Sequence, residues 1–236
     1  MNKLTFKGTT NVVPFDLEKR INSKTYSYLS EHVIYTDETK PKGSMDIVMV
    51  GSAGICASAY LANTYEDELR KIWNDSFVDN CMALGGMVDT NYLDELLKQS
   101  DIMESVALVY ALSESGAFSG MWEVGEFLHT GMEVKAYDIP IWQEVVELSE
   151  VFNVNPYKLD ARGSALIVCN NSASVIEYLT SEGFLANLVG HTVDSSGCVI
   201  TDGESVRYLE PNRTNELKGV CYERRDFETY RKQWQD

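Results

Sequence analysis

The chain has 236 residues, of which 44% are hydrophobic and 24% charged, the balance of a globular fold with room for one large domain or two small ones. Its formal net charge of −16 repels phosphate backbones and anionic lipid, so neither nucleic acid nor a membrane surface is an expected partner. No apolar run approaches the roughly 18 residues that cross a bilayer, and the N-terminus lacks the apolar core of a secretory signal, which makes the cytoplasm the expected location.

Residues 1 to 45 read as an N-terminal extension. KGTTNVV and HVIYTD each suit a short strand, the segment Phe15 to Leu29 suits a short helix, and DETKPKGS reads as a linker that ends near Ser44. From residue 46 to 236 the chain reads as one α/β domain. DIVMVG is a continuous apolar run that suits a buried strand, followed by the small-residue turn SAG and a helix carrying Ile55, Ala59 and Leu61. YEDELRKIW and NYLDELLKQ suit short helices, with Gly85-Gly86 breaking the pattern between them. Ser105 to Leu112 returns to β character. MEVKAYDIP alternates with Met132, Val134 and Ala136 on one face, and Trp142, Val145, Leu148 and Phe152 recur as a helix face. SALIVC is a buried strand, Asn171 or Ser172 caps a helix that Gly183 ends, and ANLVGHTV is a further strand. CVITDGESVRYL, with Asp202-Gly203 between two β-rich runs, is the clearest hairpin signal, and RRDFETYRKQWQD reads as an exposed C-terminal helix. Strands interleaved with helices predict a mixed sheet with flanking helices.

The segment with most chemical content is SESGAFSGMWEVGEF, from Ser113 to Phe127. Small residues follow the strand directly and open a helix, and the unpaired N–H groups of a helix start can hold an anion such as phosphate. Ser113, Ser115, Gly116, Ser119 and Gly120 are therefore the candidate ligand-binding residues. The bland reading of the same residues is a tight turn that lets helix and sheet approach closely. Gly51 to Gly54 reads better as a turn than as a cradle. Glu123 and Glu126 share a helix face and read as part of a solvated acidic surface. Five cysteines without a C-x-x-C and three isolated histidines (His32, His129, His191) give no metal site, and Cys56 and Cys169 read as small core residues.

The run from Gly116 to Cys169, GAFSGMWEVGEFLHTGMEVKAYDIPIWQEVVELSEVFNVNPYKLDARGSALIVC, resembles the C-terminal domain of the aminoimidazole ribonucleotide (AIR) synthetase superfamily. DIVMVGSAGICASAYLA is similar to that domain's first strand and helix, and the likeness is greatest to hydrogenase-maturation factors of the carbamoyl-dehydration type and to AIR synthase-related proteins. The resemblance implies an α/β domain whose Gly-rich loop meets a ligand, beside an N-terminal domain that supplies ATP and magnesium ligands. At the positions of the family's His-Asp-Pro-Thr-x-Gly-Gly loop this chain has Tyr110, Ala111, Leu112, Ser113, Glu114, Ser115 and Gly116, so the aspartate is missing. The family's terminal cysteine is missing too, because Cys221 is internal.

These departures lead to the expectation of a degenerate domain that binds a phosphate-bearing ligand or a partner protein. One alternative is half of a split enzyme whose ATP-binding domain, with ATP and magnesium, comes on a partner protein. The other is a complete ATP-dependent small-molecule enzyme. A homodimer is the expected assembly, since a domain without its usual neighbour has apolar surface to cover.

Overall fold

The computed structural model describes residues 29–39, 44–88, 90–195, 197–210 and 216. The strand expected at KGTTNVV, most of the helix expected over Phe15 to Leu29, the C-terminal helix and Cys221 lie outside them.

The strands are β1 (Val33–Thr36), β2 (Asp46–Val50), β3 (Val106–Ala111), β4 (Gly131–Lys135), β5 (Ala165–Cys169), β6 (Ala186–Val193), β7 (Cys198–Thr201) and β8 (Val206–Tyr208). They form one sheet in the order β1-β3-β5-β2-β6-β4-β7-β8. Every neighbouring pair is antiparallel except β4 with β7, so the sheet is mixed, as expected. β1 precedes the boundary expected near Ser44 and is the edge strand of the same sheet, with Tyr35 opposite Val109 and Thr36 opposite Leu108.

The helices are α1 (Ile55–Thr64), α2 (Glu66–Leu69), α3 (Asp75–Ala83), α4 (Asn91–Leu96), α5 (Ser100–Met103), α6 (Gly116–Leu128), α7 (Gln143–Val151) and α8 (Ser172–Ser181). α3 was not legible from the apolar pattern; its Asn74 side chain accepts from the Phe77 N–H at 2.9 Å and caps the start. The Gly85-Gly86 pair falls in a 3₁₀ turn, Leu84–Met87. The strand expected through Ala136 stops at Lys135, where a 3₁₀ turn, Ala136–Asp138, takes over before Pro140.

Both sheet faces are covered, which is why β2, β3 and β5 are near-continuous apolar runs rather than alternating ones. On one face Ile47, Met49, Leu108, Tyr110, Leu166 and Val134 meet Met121, Val124 and Phe127 of α6. On the other, Val48, Val50, Val109, Ala111 and Ile167 meet Leu93 and Leu96 of α4 and Val175 and Leu179 of α8. A third core joins α1, α3 and α7 through Ile55, Leu61, Val78, Cys81, Val145, Leu148 and Phe152. The Asp202-Gly203 hairpin joins β7 to β8, and the Asp202 carboxylate accepts from the backbone N–H groups of Glu204 (3.0 Å) and Ser205 (2.7 Å). Among the described residues no helix is long and apolar enough to cross a membrane.

Candidate functional site

β2 and β3 both run antiparallel to β5, so they are parallel to each other and their C-terminal ends share one end of the sheet. Each is followed by a small-residue turn and a helix. The turn after β2 is closed on protein. The Ser52 N–H donates to Ser164 Oγ at 2.9 Å, Ser164 Oγ donates to the Ser52 carbonyl at 2.9 Å, and the Ala53 N–H donates to the Pro140 carbonyl at 3.0 Å. Gly51 to Gly54 is thus a braced turn, in line with the reading of it as one.

The turn after β3 carries the candidate residues. Ser113 is buried, and its carbonyl accepts from the Gly116 N–H (3.3 Å) and from the Ala161 N–H (3.2 Å). The Ser115 N–H donates to Ser113 Oγ at 3.2 Å, and the two serine hydroxyls lie 2.6 Å apart. Ser115 Oγ in turn donates to Glu123 Oε1 at 3.2 Å, and the Tyr110 hydroxyl donates to Glu123 Oε2 at 2.9 Å. With the Ser115 proton on the carboxylate side, the Ser113 hydroxyl donates to Ser115, so the chain of donors runs in one direction toward Glu123.

Gly116 begins α6 at φ +86°, and a Cβ there would lie 2.7 Å from the Tyr157 carbonyl oxygen and 2.8 Å from that of Leu159. The loop is pressed against the 3₁₀ turn Pro156–Lys158, and two residues into α6 the Phe118 ring stacks on Tyr157 with centroids 4.9 Å apart. Gly120 faces the sheet, where a Cβ would overlap the Leu112 side chain at 2.2 Å. Ser113, Ser115 and Gly116 therefore gather at the loop, whereas Ser119 and Gly120 are buried one turn further on, where α6 meets the sheet.

Glu123 is a correction to the sequence reading. It is only 5% exposed and belongs to the loop's polar core, whereas Glu126 is half-buried on the same helix. Helical spacing already places Glu123 with Gly120 and Phe127 on the sheet-facing side. The abundance of acidic residues obscured that placement.

Beside the loop lies a second polar group that the sequence reading passed over. Asp160, 3% exposed, accepts from Arg162 Nε at 3.0 and 2.9 Å, from the Arg162 η-nitrogen at 2.5 Å and from the Arg162 backbone N–H at 3.0 Å. The Arg162 side chain remains 47% exposed, so the guanidinium has one edge on the buried carboxylate and the other toward solvent. Asp160 also acts on Cys56: burial first, and the nearby carboxylate second, push that thiol up to about 11. The same thiol is therefore a poor nucleophile at neutral pH. His32 titrates below its usual range because it is largely buried, with Glu31 and Glu114 pulling the other way. Its ring lies 5.9 Å from that of Tyr110. The only available sequence signal for Asp160 and Arg162 was their spacing in DARG, directly before a buried strand.

Tyr110 and Ala111 occupy the positions where the resemblance expects histidine and aspartate. Both are fully buried, on opposite faces of the sheet: Tyr110 points to α6 and Glu123, and Ala111 lies in the core under α4 and α8. Among the described residues no three His, Cys, Asp or Glu side chains converge as a metal set.

The sheet, its flanking helices and the loop that opens α6 define an AIR synthetase-like fold. Solved structures with this fold include the hydrogenase maturation protein HypE of E. coli, with a TM-score of 0.59 and 16% identity over 80% of this chain and 56% of that one. HypE in complex with ATP gives a TM-score of 0.55 at 12% identity, over 77% of this chain and 55% of the other. Thiamine-monophosphate kinase from Stenotrophomonas maltophilia K279a gives 0.51 at 13% identity, over 69% and 52%. The chain thus spans little more than half the length of the structures it matches. No family model and no curated protein sequence matches it.

Proposed function

We propose that this chain is a synthetase-like domain that binds a phosphate-bearing ligand or a partner protein and has lost the ATP chemistry of its fold relatives. The observation that carries the proposal is the hydrogen bond from Tyr110 to Glu123. The position that the resemblance gives to a histidine is occupied by a buried phenol whose hydroxyl donates to Glu123 inside the fold. Next to it Ala111 supplies a methyl group to the core in place of a carboxylate. The anion contact would be the solvent-facing edge of Arg162 beside the loop of Ser113, Ser115 and Gly116, whose Ser115 and Gly116 N–H groups are themselves taken up by Ser113, with Ser119 and Gly120 setting the approach of α6.

Calorimetric titration with inorganic phosphate, with ATP and with ATP plus magnesium tests this reading. Saturable heat that disappears in Arg162→Ala, without turnover, is the expected result. Magnesium-dependent ATP hydrolysis by the purified chain, lost in Ser113→Ala, would overturn it and favour the complete-enzyme alternative.

A second reading is supported by coverage: little more than half of each matched structure has a counterpart here. In this reading residues 46–236 form the domain, residues 1–45 an extension, and a separate chain brings the ATP-binding half. One matched structure is a HypE–HypF complex, with a TM-score of 0.50, so the fold has been solved in a protein assembly. A homodimer would be the alternative cover for the same surface. Sedimentation that shows a monomer alone and with every candidate partner counts against both.

A further inference from the structure

At the end of the sheet that carries the two turns, but lined by none of Ser113 to Gly120, the fold forms an open pocket of about 430 Å³. That volume lies within the range of small-molecule sites. Its floor is Gly51 at the end of β2 and Gly163 before β5, and its walls are Trp142, Tyr92, Phe184 and Met87. We propose that this pocket binds a neutral, planar heteroaromatic molecule of one or two rings. The proposal is independent of the phosphate reading above.

Three observations support it. First, the walls are flat and aromatic. The Tyr92 and Phe184 rings pair at 4.5 Å between centroids, and Trp142 and Met87 are displayed at 36% and 50% exposure, high for large apolar side chains beside a cavity. Ring faces favour offset or edge-to-face contact with a further ring. Second, the wall is fixed before any ligand arrives. The Trp142 N–H donates to Ser52 Oγ at 3.1 Å, Ser52 is locked to Ser164, and the Tyr92 hydroxyl donates to the Gly163 carbonyl at 3.3 Å. A preformed wall spares the ligand an ordering cost. Third, the mouth is open to solvent at Gly86 and Gly183, exposed lining residues at which an added Cβ would meet no atom within 4 Å; Gly86 has ordinary backbone geometry, so a side chain would be tolerated there.

The described lining favours an uncharged ligand. Among the described residues no charged side chain lines the pocket; Asn91 is its one side-chain amide. Among the described lining residues a carboxylate or phosphate would find no cation, and a quaternary ammonium would find rings without an acidic partner.

Quinoline, uncharged at pH 7.5, is a suitable probe, with choline and naphthalene-2-sulfonate as charged comparisons. Binding is followed by amide and indole N–H shifts in NMR spectra of the full chain. The expectation is saturable quinoline binding with a Kd of about 0.1–1 mM, normal for a ligand of this size. Shifts should centre on Trp142, Tyr92 and Phe184, and the two charged probes should bind at least tenfold more weakly. Trp142→Ala, which keeps the backbone bond to Ser52, and Gly86→Leu, which sets a side chain at the pocket mouth, should each weaken binding at least tenfold while the rest of the spectrum is unchanged. Absence of saturation to about 10 mM, shifts elsewhere on the fold, comparable binding of either charged probe, or unaltered affinity in both folded variants would overturn the proposal. If either variant fails to fold, the wild-type shift map and the charged probes still decide it.

Discussion

Replacing Tyr110 with phenylalanine removes one hydroxyl and nothing else. The ring is fully buried, and phenylalanine keeps its volume, so no cavity opens and the apolar contacts with α6 stay. The loss includes the 2.9 Å hydrogen bond from the phenol to Glu123 Oε2, on a side chain only 5% exposed. Hydrogen bonds to charged groups contribute about 1.5–3 kcal/mol net, and a domain of this size loses about 2–4 °C of Tm per kcal/mol. Tyr110→Phe should therefore lower Tm by about 3–12 °C, with the same loss of free energy in urea at unchanged slope. Ser115→Ala removes the second donor to the same carboxylate, at 3.2 Å. The two losses should not add, because both donors serve the same carboxylate; a coupling of at least about 0.5 kcal/mol is expected from the double-mutant cycle. Tyr110→Phe within about 0.5 kcal/mol of the parent, or strict additivity with Ser115→Ala, would refute the view that this network holds the loop.

Two further outcomes follow from the same structure. Gly116→Ala and Gly183→Ala both place a Cβ at positive φ, +86° and +87°, but only at Gly116 would it meet backbone, at 2.7 Å. Denaturant titration should show a loss of about 1–2 kcal/mol for Gly183→Ala and clearly more for Gly116→Ala; equal losses would mean that the loop gives way. The buried thiols predict alkaline sensitivity. Burial first of all lifts Cys81 and Cys169 to about 12 and Cys198 to about 11, from an ordinary 9.0. The unfolded chain thus loses these protons first, so stability is intact below about pH 9 and falls above it, by up to about 1.4 kcal/mol per thiol per pH unit. Urea titrations at pH 8 and 10 should show this fall, and Cys169→Ala should shrink it; an identical pH dependence in that variant would count against the linkage.

Much of the fold was legible because burial on both faces writes itself as uninterrupted apolar runs, as in Ile47–Val50, Val106–Leu112 and Ala165–Cys169. Asp202-Gly203 announced its hairpin through turn chemistry that is local. Strand order was not legible, since β2 pairs with β5 and β6, more than a hundred residues later, and nothing in Asp46–Val50 names those partners. The loop at Ser113 was visible as small residues before a helix, but its polar interior was not. Glu123 sits among so many carboxylates that its burial leaves no mark on composition, and Tyr110 sits in a strand where a phenol looks like any other aromatic. Asp160 and Arg162 were hidden for a different reason: their pairing is a short loop geometry, and it gains meaning only when Ala161 is found donating to the Ser113 carbonyl.

The position of β2 governs when this chain can fold. Asp46 lies opposite Cys169 on one side and His191 on the other, so the central strand has no sheet partner until Cys169 has been made and lacks its second until Val193. A ribosome adding about 5–20 residues per second leaves that apolar strand without its neighbours for several seconds or more. Closing loops of this length must precede the contacts that reward it, which places the protein among slow-folding topologies. During that interval the segment Ile47 to Val50 is an unpaired hydrophobic strand, and it is there that a chaperone would find its first hold on the nascent chain.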